Sequence, residues 1–311
     1  MIVRERPSGL RLFLALRGSV LPRILPALIV NIAIATLVTW SHGDLFQLKI
    51  TLTTIPFTLI GLPLSIFLGF RNNAAYDRFW EGRKLWGELV LRSRNLARQC
   101  LSLIDERAPP DTGLADIRAR MLYRAIAFNY AVRDLLRELP PHAGQQALLL
   151  PAEWRALQTA ANGPDYLMRQ MGADLRTCLK EGRIDPCLAA SIDGTLSALT
   201  GAAASCERIR NTPVPFSYTL LLHRTAYLYC FLLPFGLVDS IGFMTPFVVA
   251  IVAYTFFGLD ALGDEIEEPF GLESNDLPLD AICRAIEIDL RTALGDPDVP
   301  APLAPVNACL T

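Results

Sequence analysis

The chain has 311 residues, 52% of them hydrophobic and 19% charged, with a mean hydropathy of +0.33 and a formal net charge of −2. So apolar a chain does not fit an ordinary soluble enzyme, and so charged a chain does not fit a bare bundle of membrane spans. Membrane helices joined to a sizeable water-exposed part are expected. The balance of charge supplies no basic field, so nucleic acid is not an expected partner.

Residues 1–22 carry Arg4, Arg6, Arg11 and Arg17 and lack a small-residue cleavage site after their apolar run. They read as a retained cytoplasmic segment. A first span is expected over 23–41, with Trp40 at its outer end, where an amphipathic ring suits the interface. A second is expected over 50–70, ITLTTIPFTLIGLPLSIFLGF, which holds no charge. As a helix it rises about 30 Å, the thickness of a bilayer's hydrocarbon core. Pro56, Gly61, Pro63 and Gly69 interrupt it, and Thr51, Thr53, Thr54, Thr58 and Ser65 add hydroxyls. Such a helix suits contact with other protein, or the lining of a cavity, better than contact with lipid alone.

Past residue 70 the chain turns basic, with Arg71, Arg78, Arg83 and Lys84, while the 42–49 loop offers only Lys49. Positive residues favour the cytoplasm, which places both termini and the 71–215 segment inside. Residues 74–106 extend the second span as one long helix as far as Pro109-Pro110. Further helices are expected over 114–138, 165–181 and 185–210, with a break near Gly182. A third span is expected over 225–238, with His223 and Arg224 at its start. A fourth follows over 241–259, after a tight loop at Asp239-Ser240. The domain reading is therefore 23–70 and 216–262 for the paired spans, 71–215 for a helical cytosolic domain, and 263–295 for a cytosolic C-terminal segment. The proline-rich tail 296–311 has little to bury and is expected to be disordered.

The seven cysteines (100, 178, 187, 206, 230, 283 and 309) form no CxxC, and the three histidines lie far apart. Reduced structural thiols are expected, with no metal and no cofactor. The acidic segment 260–280 holds eight carboxylates and no Lys or Arg, yet it lacks the spacing of an EF-hand loop. No nucleotide loop, nucleophile elbow or zinc motif appears, so an enzyme is not expected. Within the second span, Ile55, Leu59, Leu62, Ile66 and Phe70 recur at steps of three and four and share one helical face. Such a stripe ordinarily faces lipid or a core. Repeated around a symmetry axis, it forms a hydrophobic neck that gates ions by dewetting.

Two stretches, FLGFRNNAAYDRFWEGRKLWG (67–87) and EIEEPFGLESNDLPLD (265–280), resemble the bestrophin family in its bacterial branch. The resemblance covers nearly the whole chain. It implies an all-α fold: a four-transmembrane-helix subunit with a helical cytosolic domain, assembled around a central pore. It further implies a homopentameric ion channel of the bacterial inner membrane, whose partners are its own copies, the lipid bilayer and permeant monovalent ions. By the family pattern, Leu62, Ile66 and Phe70 are the three rings of the neck, and Ile184 in EGRIDP is the candidate for a second, cytosolic restriction. Animal members carry a run of aspartates after Pro-Phe-Gly that binds Ca²⁺. This chain has Leu272, Glu273, Ser274, Asn275 and Asp276 there, so opening by Ca²⁺ is not expected. Animal members pass anions, whereas the bacterial branch is known for monovalent cations. With the acids of 260–280, this favours cations. The alternatives are an anion channel of the same fold, or a membrane-anchored scaffold whose cytosolic domain binds a soluble partner.

Overall fold

The computed structural model describes residues 1–3, 9, 15–16, 18–41, 44–45, 48–49, 53–106 and 110–311. Arg4, Arg6, Arg11, Arg17, Thr51 and Pro109 lie outside the described residues. The chain divides into two compact units. One comprises the described residues up to Phe79 together with Pro213–Glu268. The other comprises Met1–Val3, Trp80–Thr212 and Pro269–Thr311.

The first unit is built from α1 (Leu21–Trp40), the first part of α2 (Thr54–Leu103), α7 (Phe216–Ile241) and α8 (Thr245–Glu267). The expected long helix is present: α2 runs unbroken for 50 residues. Pro56 causes no break because it lies in the first turn, where its missing N–H has no intrahelical partner to lose. Between α1 and α2, Asp44–Leu45 and Leu48–Lys49 pair as a minimal antiparallel ladder (β1 and β2). Pro213 and Pro215 hold the entry to α7 extended. The turn expected at Asp239-Ser240 falls instead at Gly242–Met244, since α7 continues to Ile241. Gly242 takes φ 51°, a left-handed conformation open to glycine without strain. Ile24, Leu28, Leu64, Leu68, Leu222, Cys230, Phe256 and Phe257 form the core between these helices.

The second unit is helical too. At its centre is α3 (Ile117–Leu136), surrounded by α4 (Pro151–Thr159), α5 (Gly163–Lys180), α6 (Pro186–Asn211), α9 (Leu279–Leu294) and the Trp80–Leu103 part of α2. The starts of its helices follow local chemistry. Asp116, Asn162 and Asp185 cap α3, α5 and α6 by accepting N–H groups at 3.0, 2.9 and 2.8 Å. Gly295, in the left-handed region, ends α9. Nearly all of α3 is buried, arginines included. Arg124 is paired with both Glu153 and Asp174, and Arg120 holds Asp174 at 2.7 Å.

By length and apolarity α1, α2, α6 and the Phe216–Glu267 stretch each suffice to cross a membrane. The break at Gly242 splits that last stretch into α7 and α8. In α6, Ile192, Leu196, Leu199, Cys206 and Ile209 are buried in the second unit. The tail departs from expectation. Ile2 bridges Cys309, Val3 N–H donates to Ala308 C=O at 2.9 Å, and Ala281 N–H donates to Thr311 C=O at 2.9 Å. The end of the chain is thus held by backbone hydrogen bonds rather than by apolar burial, which composition does not reveal.

Candidate pore helix and its charged layer

The two faces of α2 differ sharply between residues 54 and 70. Phe57, Leu64 and Leu68 are buried against the other helices of the unit. Leu62, Ile66 and Phe70 are 67%, 47% and 60% exposed, and Ile55 and Leu59 continue the same bare stripe. Of the glycines and hydroxyls expected to mark protein contact or a cavity, Gly61 serves packing. A Cβ on Gly61 would sit 2.9 Å from the Tyr229 hydroxyl, so the glycine admits that ring. Ser65 and Thr58 donate to Gly61 and Thr54 carbonyls within their own helix.

Directly after the stripe lies Arg71, which is fully buried. Its Nη1 donates to Asp260 Oδ1 at 2.8 Å and to the Asp260 carbonyl at 3.2 Å, and its Nη2 pairs with Asp264. Glu267 lies 3.9 Å away, and Arg23 reaches Asp264 at 3.6 Å. Asn72 donates to the Leu259 carbonyl at 3.1 Å. Gly263 permits this approach, since a Cβ there would lie 2.5 Å from Asn72 Oδ1. On the far side of Asp260, Oδ2 meets His223 Nδ1 at 2.6 Å. A bidentate guanidinium fixes orientation as well as distance, so this layer sets the rotation of α2 where the apolar stripe ends.

Two further acids of 260–280, Asp280 and Asp276, are also engaged. In the second unit Asp280 accepts from Arg133 and Arg137, each at 2.7 Å, and these arginines hold its carboxyl below the usual range even though burial opposes this. Asp276 is buried and accepts the Glu273 N–H at 2.7 Å. Burial pushes its carboxyl up to about 6. Among the described residues no three His, Cys, Asp or Glu side chains converge as a metal site would require.

Ile184, the expected cytosolic restriction, is 5% exposed. It sits in the turn between α5 and α6, where Arg183 Nη2 donates to the Asp105 carbonyl at 2.9 Å and Asp105 N–H donates to the Arg183 carbonyl at 2.8 Å. Its side chain is buried within the chain. The junction motif EGRIDP signals a helix boundary, and a boundary does not say which way a side chain points. Five of the seven cysteines are buried free thiols, and burial pushes Cys206 up to about 12. Cys187 is exposed and Cys309 half-buried.

An all-helical chain with several candidate membrane spans, one of them a long helix bare on one side and clamped by buried charge on the other, defines a multi-span membrane protein built to pack against further protein. Residues 1–292 match the family described as "Bacterial/Fungal Bestrophin protein". The chain belongs to the bacterial bestrophin family. It is 47% identical over 300 residues to a "Voltage-dependent anion channel-forming protein" of Mesorhizobium japonicum, covering 95% of this chain and 93% of that one. It is 41% identical over 306 residues to the similarly named YneE of Escherichia coli, covering 98% of both. A crystal structure of a bacterial bestrophin homologue from Klebsiella pneumoniae superposes with a TM-score of 0.81 at 36% identity, over 88% of this chain and 98% of that one.

Proposed function

We propose that the chain is the subunit of a passive ion channel, a homopentamer in the bacterial inner membrane with both termini cytoplasmic, α2 innermost, and Leu62, Ile66 and Phe70 as the neck. The observation that carries this reading is the bare stripe itself. Three large apolar side chains at helical spacing stay uncovered on a helix whose opposite face is anchored by core packing and by Arg71. Set around an axis, they make a dry tube in which an ion loses water and gains no partner.

The permeant ions we favour are small monovalent anions, after the printed names of the Mesorhizobium and Escherichia relatives. The cation preference expected from the acidic segment is withdrawn. Asp260, Asp264 and Asp280 are paired with arginines and Asp276 is buried, so these four carboxylates do not add up to a negative field over open water. We leave Ile184 out of the proposed pore lining, since its side chain is buried within the chain. The deciding experiment is a reversal potential in planar bilayers under a potassium chloride gradient. A value at the chloride equilibrium potential supports the anion reading, and a value at the potassium potential overturns it. Native mass spectrometry reads the copy number, and any count other than five removes the pentamer.

A further inference from the structure

We infer that His223, held on Asp260, is a proton-operated switch on the charged layer that positions the neck's inner end. The inference rests on the ion-channel reading above. The layer draws on every helix of its unit. Arg23 comes from α1, Arg71 from α2, His223 from α7, and Asp260, Asp264 and Glu267 from α8. Among the described residues, Arg23 and Arg71 pair with these three carboxylates, and Arg78 Nε donates to the Glu267 carbonyl at 3.2 Å. Protonation of His223 adds one positive charge to the layer. Arg224 is exposed, so water screens its charge. The other group against the ring is Tyr227, 4.3 Å away and itself 4.4 Å from Phe257.

Asp260 joins the two halves of the layer. One of its oxygens takes Arg71 and the other takes His223. The His223 side chain is 46% exposed, while those of Asp260 and Arg71 are 4% and 0% exposed. The ring is thus uncovered within the chain while the salt bridge it adjoins is enclosed. Imidazole is the side chain whose ordinary titration falls between about pH 5 and 8. With His223 charged, three cations share three carboxylates and α2 is held firmly against α8. With it neutral, Asp260, Asp264 and Glu267 repel around Arg71 and the grip on α2 weakens. Arg71 and Phe70 are adjacent on one helix, so a turn of α2 that moves one moves the other.

Two measurements test this. The chain has only three histidines, so NMR of labelled protein in nanodiscs gives a sparse spectrum in which His223 is assigned by its loss in His223→Gln. The expected result is that the His223 ring signals and the Arg71 Nε–H signal change together with pH and share one midpoint. A His223 signal that stays still, or an Arg71 signal that ignores it, overturns the switch whether or not flux is seen. In liposomes, flux is expected to rise severalfold between about pH 5.5 and 8 and to become flat in His223→Gln, with Asp260→Asn as the second variant should the first fail to assemble. A flat wild-type profile, the opposite sign, or a pH response lost in Asp276→Asn and kept in His223→Gln overturns it. Absence of flux at every pH from assembled protein counts against the channel reading, and the NMR measurement then decides the switch alone.

Discussion

The two units bury charge in different ways. In the membrane-spanning unit it is gathered into one layer around Arg71, and many large apolar residues stay exposed, Leu62, Ile66 and Phe70 among them. In the other unit charge is threaded along the central helix, with Arg118, Arg124 and Arg133 all buried and paired while apolar residues fill the gaps between them. On the proposed reading water surrounds the second unit, so burying apolar area drives its assembly and the ion pairs fix how α3 sits. Lipid is as apolar as leucine and gives no such drive, so polar contacts and close packing must specify the register of the spans.

The sharpest way to break this comparison is Asp174→Ala. It leaves Arg124 and Arg120 short of a carboxylate in a buried site, and should cost roughly 3–5 kcal/mol. Thermal unfolding in detergent should show the second unit melting far earlier. An unchanged transition would mean that the α3 ion pairs do not hold that unit together.

Asp276 sharpens the comparison through pH. Its folded carboxyl titrates near 6 against an ordinary value of 3.8, so the folded state keeps a proton that the unfolded chain has released. That stabilisation is present below about pH 4 and is lost as pH rises through about 6. Asp276→Asn keeps an acceptor for Glu273 N–H and should stabilise the protein at neutral pH by up to roughly 2–3 kcal/mol, with no gain at pH 4. Denaturant midpoints at the two pH values check this.

The triple change Leu62→Ala, Ile66→Ala and Phe70→Ala tests the bare face. Flux should rise at least about tenfold, equivalent to roughly 1.4 kcal/mol off the barrier. Thermal stability should move little, because these side chains are not core. Proteoliposome flux that stays at the wild-type level in an assembled variant would remove the neck. The smallest expected effect is that of Ile184→Val, a loss of about 0.5–1.5 kcal/mol in stability with conductance unchanged, as befits a buried side chain away from any lumen. A change in single-channel conductance would return Ile184 to the pore.

Hydropathy, helical period and turn chemistry are local properties, and they sufficed for much of this protein. The uncharged run 50–70, the stripe of Leu62, Ile66 and Phe70, the unbroken helix beyond Arg71 and the helix starts at Asp116 and Asp185 can all be read along the chain, because each depends on neighbours within a few turns. The third dimension decided what joins distant residues. Arg71 meets Asp260 across 189 positions, the tail meets Ile2 across nearly the whole chain, and Ile184 is buried in the turn between α5 and α6. The sequence showed eight acids in one segment. Only the packing determined that Asp260, Asp264, Glu267 and Asp280 are answered by arginines, because a carboxylate's field depends on what stands beside it in space.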